Sequence, residues 1–321
     1  MNNLSDFRKH FSALEENILI SNRVESSTGG IADYFICIDE IKNFIELLQY
    51  LTVKKRDFAV IGSGSKTIIS QFGYSGVLIK NQSAGCVIVQ QLSQITVEAG
   101  MAINALVNKT AEVELSGLEF MAQKHGTMGG WLLEPNSINF NRISEYVKSI
   151  TVFYRTNNKI LHFSGQWLKD NLKSLRDPNN QSKPIILNVR LQLSRSKKES
   201  VLAKMNIYSK KNQFKNTKTG FIENIFEELF TQTDRLRLTK FFPPIQNATD
   251  NEILATILKD SDIVRKITSE IEFIFSPNNI ILLKKPVEHQ ILMENIDSII
   301  QAVYDKFGVL LNKNVSILGL P

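Results

Sequence analysis

The sequence predicts an α+β protein divided into three regions, on the basis of its length, its mixed element patterns and one break. With 321 residues the chain is too long for one small core, and 43% hydrophobic and 22% charged residues are typical of a globular protein. Strand-like and helix-like patterns are mixed along its length. A polar, charged stretch from Ser194 to Ser200 precedes a helix-rich C-terminal region. We interpret this stretch as a domain boundary or a long crossing loop.

The first region has the pattern of a small βαβ-like unit. Apolar residues with helical spacing predict a helix from Glu40 to Leu51, for which Asp39 is a candidate N-cap. The buried strand Phe58 to Ile61 is followed by the glycine-serine turn Gly62–Ser65. Two more strands are predicted at Asp33 to Ile38 and at Val77 to Ile79.

The second region is mixed, and the third is rich in helix. We predict a helix from Ile103 to Glu114 and a long C-terminal helix from Leu292 to Phe307, which Gly308 ends. The predicted strands are Val87–Val89, Ile95–Glu98, Ser149–Tyr154 and Ile185–Leu193 in the second region, and Glu272–Phe275 and Ile280–Leu283 in the third. A second glycine-dense turn, Gly126–Gly130, lies between the strands of the second region.

The composition indicates a cytoplasmic protein with an anionic partner. The segment Met1–Glu16 is polar and predicts an amphipathic helix, and no apolar run is long enough to cross a membrane. Cys37 and Cys86 form neither a disulfide framework nor a zinc pattern, and we expect both to be buried thiols in a reducing compartment. The net charge of +6 would suit an anionic partner such as a phosphorylated cofactor, a nucleotide-sugar or nucleic acid. The basic residues are dispersed, however, which favours a solvated surface over a nucleic-acid interface.

The first glycine turn fits neither of two common phosphate-binding motifs. A P-loop requires glycine where Ser65 precedes Lys66, and a dinucleotide fingerprint requires glycine at Thr67. A strand that ends in small residues still exposes N–H groups and hydroxyls to an anion. Taken alone, the turn is either an anion site or a plain connection between two strands.

Five segments in order resemble one family, the UDP-N-acetylenolpyruvoylglucosamine reductases, also called UDP-N-acetylmuramate dehydrogenases. The family's Gly-Gly-x-Ala-Asp and Gly-x-Gly-Ser-Asn segments resemble Gly29–Asp33 and Gly62–Ser65, with Lys66 in place of the Asn. Its Gly-Leu-Glu-Phe block and later glycine turn resemble Gly117–Phe120 and Gly126–Gly130. The closing segment resembles Phe307–Leu311 followed by Val315–Gly319.

The resemblance implies a two-lobed FAD-binding domain of the PCMH or vanillyl-alcohol-oxidase type, followed by a C-terminal α+β substrate domain. We expect lobe 1 at residues 1–82, lobe 2 at 83–195 and the reductase-like domain at 196–321. FAD would be held non-covalently, NADPH would reduce it, and a UDP-sugar would be the substrate. The residues expected to hold the cofactor are those of the two turns: Gly62, Ser63, Gly64, Ser65, Gly126, Thr127, Met128, Gly129 and Gly130.

The family's three catalytic positions are occupied by other residue types in this chain. Its closing-segment Glu corresponds to Asn314, whose amide cannot exchange a proton as a carboxylic acid does. Its proton-donating Ser corresponds to Gly220, with Thr219 available if the register slips by one, or in a competing alignment to Asn212. Its Arg corresponds to Leu172, and Arg176 lies four residues further on. Thr219, Arg176 and Asn314 are therefore the positional catalytic candidates.

The flavin side of the resemblance is also altered. Gln123, Lys124 and His125 replace a Gly-Ile-Pro, and the residues at 135–137 replace an Asn-Ala-Gly. Trp131 stands where the family has a small Ala, and its indole would either fill cofactor space or stack on the flavin. We interpret His125 as a loop histidine near a phosphate.

The leading hypothesis is an oxidoreductase-like flavoprotein of peptidoglycan precursor synthesis whose catalysis is altered or lost, a possible pseudoenzyme. One alternative is an active NADPH-dependent UDP-N-acetylmuramate dehydrogenase of cell wall biogenesis. Another is a non-catalytic binding or regulatory protein that keeps the fold without flavin.

Overall fold

The computed structural model describes residue 7 and residues 11–133, 142–176, 184–212, 220–222, 225–226, 230–260, 263, 271–274, 280–283 and 287–319. Among these residues, no helix is both long enough and apolar enough to span a lipid bilayer. Cys37 and Cys86 are free thiols, but Cys37 is exposed, so the expectation that both are buried is wrong. The cause is strand alternation, which turns Cys37 away from the core that Ile36 and Ile38 enter.

The first lobe is a four-stranded sheet with one helix on it. The sheet has the order β1-β2-β5-β3, in which β2, β5 and β3 run parallel and β1 is antiparallel to β2. Because β3 and β5 are parallel neighbours, their carboxyl ends meet at the same edge of the sheet. The elements are β1 (Glu15–Leu19), β2 (Ile31–Ile38), α1 (Ile41–Val53), β3 (Phe58–Ile61), β4 (Thr67–Ile69) and β5 (Tyr74–Asn81).

Helix α1 confirms the periodicity but not the predicted cap. Its buried side chains are Phe44, Leu47, Leu48 and Leu51, with the spacing of one helix face. The N-cap is Glu40, which makes no side-chain capping bond, so the prediction of Asp39 as cap is wrong. Asp39 lies one residue before the cap, outside the position from which a side chain usually accepts the first N–H groups.

The second lobe is a five-stranded antiparallel sheet of order β10-β9-β11-β7-β6. Its core is continuous with that of lobe 1, because Phe153 and Leu187 pack in one cluster with Phe44 and Leu48. The elements are β6 (Cys86–Val89), β7 (Gln94–Glu98), α2 (Ile103–Glu112), β8 (Leu115–Ser116), α3 (Met128–Leu132), β9 (Val147–Tyr154), β10 (Lys159–Ser164), α4 (Gly165–Arg176) and β11 (Ile185–Gln192).

The charged break after β11 is structured and stays with the second lobe. Its first residues form β12 (Ser194–Arg195), which pairs with β8, and α5 (Lys198–Asn212) follows. At the end of α5 the amide of Asn212 donates hydrogen bonds to the carbonyl oxygens of Phe120 at 3.2 Å and Ala122 at 2.7 Å. The helix is thus held against lobe 2.

The third region has its own core and returns to the first lobe at its end. The sheet order is β13-β15-β14, and α8 ends as predicted at Gly308, whose φ is 68°. The final strand β16 runs parallel to β4, which brings the closing segment back to lobe 1. The elements are β13 (Phe221–Ile222), α6 (Gln232–Leu238), α7 (Asp250–Leu258), β14 (Ile271–Ile274), β15 (Ile280–Leu283), α8 (His289–Phe307) and β16 (Ser316–Leu318).

Candidate functional site

The first glycine turn follows β3 and is fastened to the segment before β2. The carbonyl oxygen of Ser63 accepts from the N–H of Glu25 at 3.1 Å, and that of Gly64 accepts from the N–H of Ser26 at 3.3 Å. Gly64 has a φ of 81°, a conformation that disfavours residues with a Cβ. The turn is therefore a fixed loop. Within it, the buried hydroxyl oxygen of Ser63 has no hydrogen-bond partner among the described residues and is available to a ligand.

The second glycine turn enters the short helix α3, and its N–H groups are already engaged. Thr127 caps α3, and its hydroxyl oxygen accepts from the N–H of Gly130 at 3.4 Å. The N–H of Met128 donates to Met101 at 2.9 Å, and the N–H of Gly129 donates to Ala99 at 2.8 Å. These three N–H groups hold the turn in place and are not directed at a ligand.

The two glycine turns touch each other. A Cβ added to Gly62 would lie 2.3 Å from Oγ1 of Thr127, far inside van der Waals contact. Gly62 is therefore required by the contact between the lobes. The two turns, which are separated by 60 residues in the sequence, thus form one continuous surface.

Beside this contact lies a cleft of about 360 Å³ between the two lobes. The structure places Gly62, Ser63, Gly126 and Thr127 on its wall. The other predicted cofactor residues, Gly64, Ser65, Met128, Gly129 and Gly130, are not among the lining residues. The remaining lining residues are Glu25, Lys80, Asn81, Gln82, Ala84, Gly100, Met101, Ala102, Ile103, Asn104, Ala105, Lys124 and His125.

The charged side chains that line the cleft are mostly basic, although its exposed lining is more apolar than polar. Lys80, Lys124 and His125 line it, and Glu25 is the one acidic side chain among the described lining residues. Lys80 is positioned by a hydrogen bond of 2.7 Å from its ammonium group to the carbonyl oxygen of Arg23. Sequence reasoning missed Glu25 and Lys80. The available signal for Lys80 was its position at the carboxyl end of a strand parallel to β3, where α/β proteins bind ligands.

Trp131 neither lines the cleft nor fills it. Its side chain is 4% exposed and belongs to the core of the second lobe. The indole Nε1 donates to the carbonyl oxygen of His125 at 2.7 Å, and the ring packs beneath Gly126. The large side chain thus supports the second turn from behind.

The C-terminal domain meets the cleft at β13. The ring of Phe221 contacts that of His125 edge to face, with 4.7 Å between centroids, and its N–H donates to Glu25 at 2.8 Å. Gly220 is buried against the segment before β2, where an added Cβ would lie 2.3 Å from Cβ of Ser27. Gly220, the expected donor position, thus directly precedes β13 and has no side chain.

Of the positional catalytic candidates that the structure describes, neither Arg176 nor Asn314 lines the cleft. Thr219 lies outside the described residues. Arg176 is the last residue of α4, and Leu172, at the family's Arg position, packs on the core of lobe 2. Asn314 is 6% exposed and its N–H donates to Ile225 at 2.6 Å, while its Oδ1 has no partner among the described residues. Asn212, from the competing alignment, is engaged in lobe 2 and does not line the cleft.

The cleft fits a phosphorylated cofactor better than a metal. Among the described residues, no three His, Cys, Asp or Glu side chains are grouped as metal ligands. The orphaned hydroxyl of Ser63, the side chains of Lys80 and Lys124 and the closely approaching glycine backbone are suited to phosphate and hydroxyl groups.

Residues 32–164 match the family model described as FAD binding domain. The two lobes therefore form an α+β domain of the FAD-binding PCMH type. A UDP-N-acetylenolpyruvoylglucosamine reductase of Caldanaerobacter subterraneus is 31% identical over 55% of this chain and 57% of its own length. One of Clostridium novyi is 20% identical over 95% of this chain and 92% of its own.

The solved UDP-N-acetylenolpyruvylglucosamine reductase of Thermus caldophilus has the same fold, with a TM-score of 0.61, 15% identity and coverage of 94% of this chain and 98% of that one. The chain is similar to the UDP-N-acetylenolpyruvoylglucosamine reductases in sequence, and over nearly its whole length it shares the fold of the Thermus caldophilus enzyme. In the match to Caldanaerobacter, as in several others, it spans about half the length of the relative.

Proposed function

We propose that this protein binds FAD non-covalently in the cleft between its two glycine turns, and that its UDP-N-acetylenolpyruvoylglucosamine reductase reaction is altered or lost. The observation that carries the first part is the meeting of both turns at one cleft, with Gly62 against Thr127. Ser63, Lys80 and His125 are the side chains proposed to hold the phosphate groups. A bound FAD would supply hydride transfer from NADPH to the enolpyruvyl double bond of a UDP-sugar.

The second part of the proposal, that the reaction is altered or lost, rests on the residue types at the positions expected to supply a proton. Hydride addition to a carbon–carbon double bond leaves a carbanionic carbon, which requires a proton donor and electrostatic support. Gly220 has no side chain to donate a proton. Asn314 carries a neutral amide and does not line the cleft. The residue types at Gly220 and Asn314 support the proposal that the acid chemistry expected at these positions is altered or lost.

The test separates flavin reduction from substrate reduction. The FAD-loaded protein is reduced anaerobically with NADPH while the visible flavin band is followed, and the enolpyruvyl UDP-sugar is then added. We expect the reduced flavin to persist. Reoxidation at the rate shown by the Clostridium novyi relative under the same conditions would contradict the loss or alteration of the reaction. Failure of the protein to take up FAD would contradict the first part.

A further inference from the structure

Glu25 is the unusual group of the cleft. Its Oε2 atom is buried and has no hydrogen-bond partner among the described residues. The side chain lines the cleft in the company of Lys80, Lys124 and His125. Buried carboxylate oxygens without a partner are rare because they lose the hydrogen bonds that water would have given them. An oxygen of this kind is a candidate acceptor for a ligand.

The backbone of Glu25 is fixed from two sides. Its N–H donates to Ser63 in the first glycine turn at 3.1 Å, and its carbonyl oxygen accepts from Phe221 of the C-terminal domain at 2.8 Å. The residue therefore lies where the first lobe, the glycine turn and the third domain meet. Because the backbone of Glu25 is already fixed, a ligand that bonds to its side chain does not have to order this segment of the chain.

The chemistry of a carboxylate restricts what it can bind. An ionised carboxylate only accepts hydrogen bonds, and it repels phosphate. In a cleft whose other charged groups attract phosphate, Glu25 is suited to a neutral donor on the same ligand, such as a ring N–H or a sugar-type hydroxyl. Ligands that combine both kinds of group are phosphorylated nucleotides and flavins.

We propose that Glu25 is a specificity residue of the cleft, whose carboxylate accepts a hydrogen bond from a neutral N–H or hydroxyl of the bound FAD. This inference rests on the proposed function, since it takes FAD as the ligand. Glu25 would add a hydrogen-bond acceptor outside the two glycine turns, and this role involves no catalytic step.

The test is a fluorescence-quenching titration with FAD of the wild-type chain and of the variants E25Q, E25A and E15Q. Charge-assisted hydrogen bonds are strong enough that E25A is expected to raise the Kd for FAD by about tenfold or more, with E25Q changed in the same direction. E15Q is the matched control, because Glu15 is a surface carboxylate paired with Arg23 and does not line the cleft. Its Kd is expected to equal that of the wild type.

The outcomes distinguish the two proposals. If the wild type binds FAD and the Glu25 variants bind it equally well or more tightly, the role of Glu25 is refuted and the proposed function stands. If the wild type binds no FAD, the proposed function fails and this inference fails with it. Circular dichroism spectra establish whether each variant is folded. If E25A is not folded, the test relies on E25Q, which keeps the shape of the side chain.

Discussion

Gly220 is packed so tightly that a single methyl group there is expected to destabilise the protein. An added Cβ would lie 2.3 Å from Cβ of Ser27, 2.6 Å from its Oγ and 2.6 Å from the carbonyl oxygen of Ser26. Carbon atoms in contact are normally about 3.5–4.0 Å apart, so the neighbours would have to move by more than about 1 Å. Forcing extra volume into a well-packed site usually costs about 1–3 kcal/mol, and we expect G220A to lose that much stability.

The structure also indicates how much of this loss a second substitution recovers. S27G removes both side-chain contacts, and it suits the φ of 49° at this position, which is in the left-handed region. The contact with the carbonyl oxygen of Ser26 remains. G220A is therefore expected to cost about half as much in the S27G background, which is a coupling of about 0.5–1.5 kcal/mol between adjoining residues.

The assay is urea unfolding followed by circular dichroism on the wild type, both single variants and the double variant. Gly130 provides the control, because its added Cβ would meet Oγ1 of Thr127 at 3.5 Å, an ordinary contact, and we expect G130A to be tolerated. If G220A is as stable as G130A, the packing at β13 has been misjudged. Steric packing would then no longer explain why this position holds glycine instead of a serine proton donor.

Three further predictions concern the groups behind the cleft and the sheet of lobe 1. W131F is expected to cost about 1–3 kcal/mol, because the carbonyl oxygen of His125 loses its donor; thermal unfolding measures this, and an unchanged midpoint would contradict it. N212A should cost a similar amount in urea unfolding while the Kd for FAD stays constant, whereas a weakened Kd would mean that Asn212 serves the cleft. Burial raises the pKa of Tyr74 to about 12, so the folded state keeps a proton that the unfolded chain loses above pH 10. Stability should therefore fall between pH 10 and 12, and Y74F should fall less; equal curves for the two proteins would refute the assignment.

The sequence predicted those elements whose cause is local. The strand Phe58–Ile61 was predicted with its observed limits, because a short apolar run ends directly at glycine. The end of α8 was predicted because the left-handed conformation after a helix favours glycine, here Gly308. The turn residues Gly62 and Thr127 were chosen by motif, and both line the cleft.

What the sequence did not reveal depends on contacts between distant segments. The pairing of β16 with β4 joins the closing segment to lobe 1, and no local sequence pattern identifies either strand as the partner of the other. The N–H groups of Met128 and Gly129 looked available to a ligand, but carbonyl groups from another segment, which no local pattern identifies, accept from them. Glu25 carries no motif either, and only the contact of three segments brings its carboxylate to the cleft.

The most direct test of the account is the visible absorption spectrum of the purified protein after incubation with FAD and gel filtration. We expect flavin bands that elute with the protein and a flavin that is released on denaturation, since it is not covalently attached. A protein that remains colourless after reconstitution would contradict it. The cleft between the two glycine turns would then no longer be a flavin site.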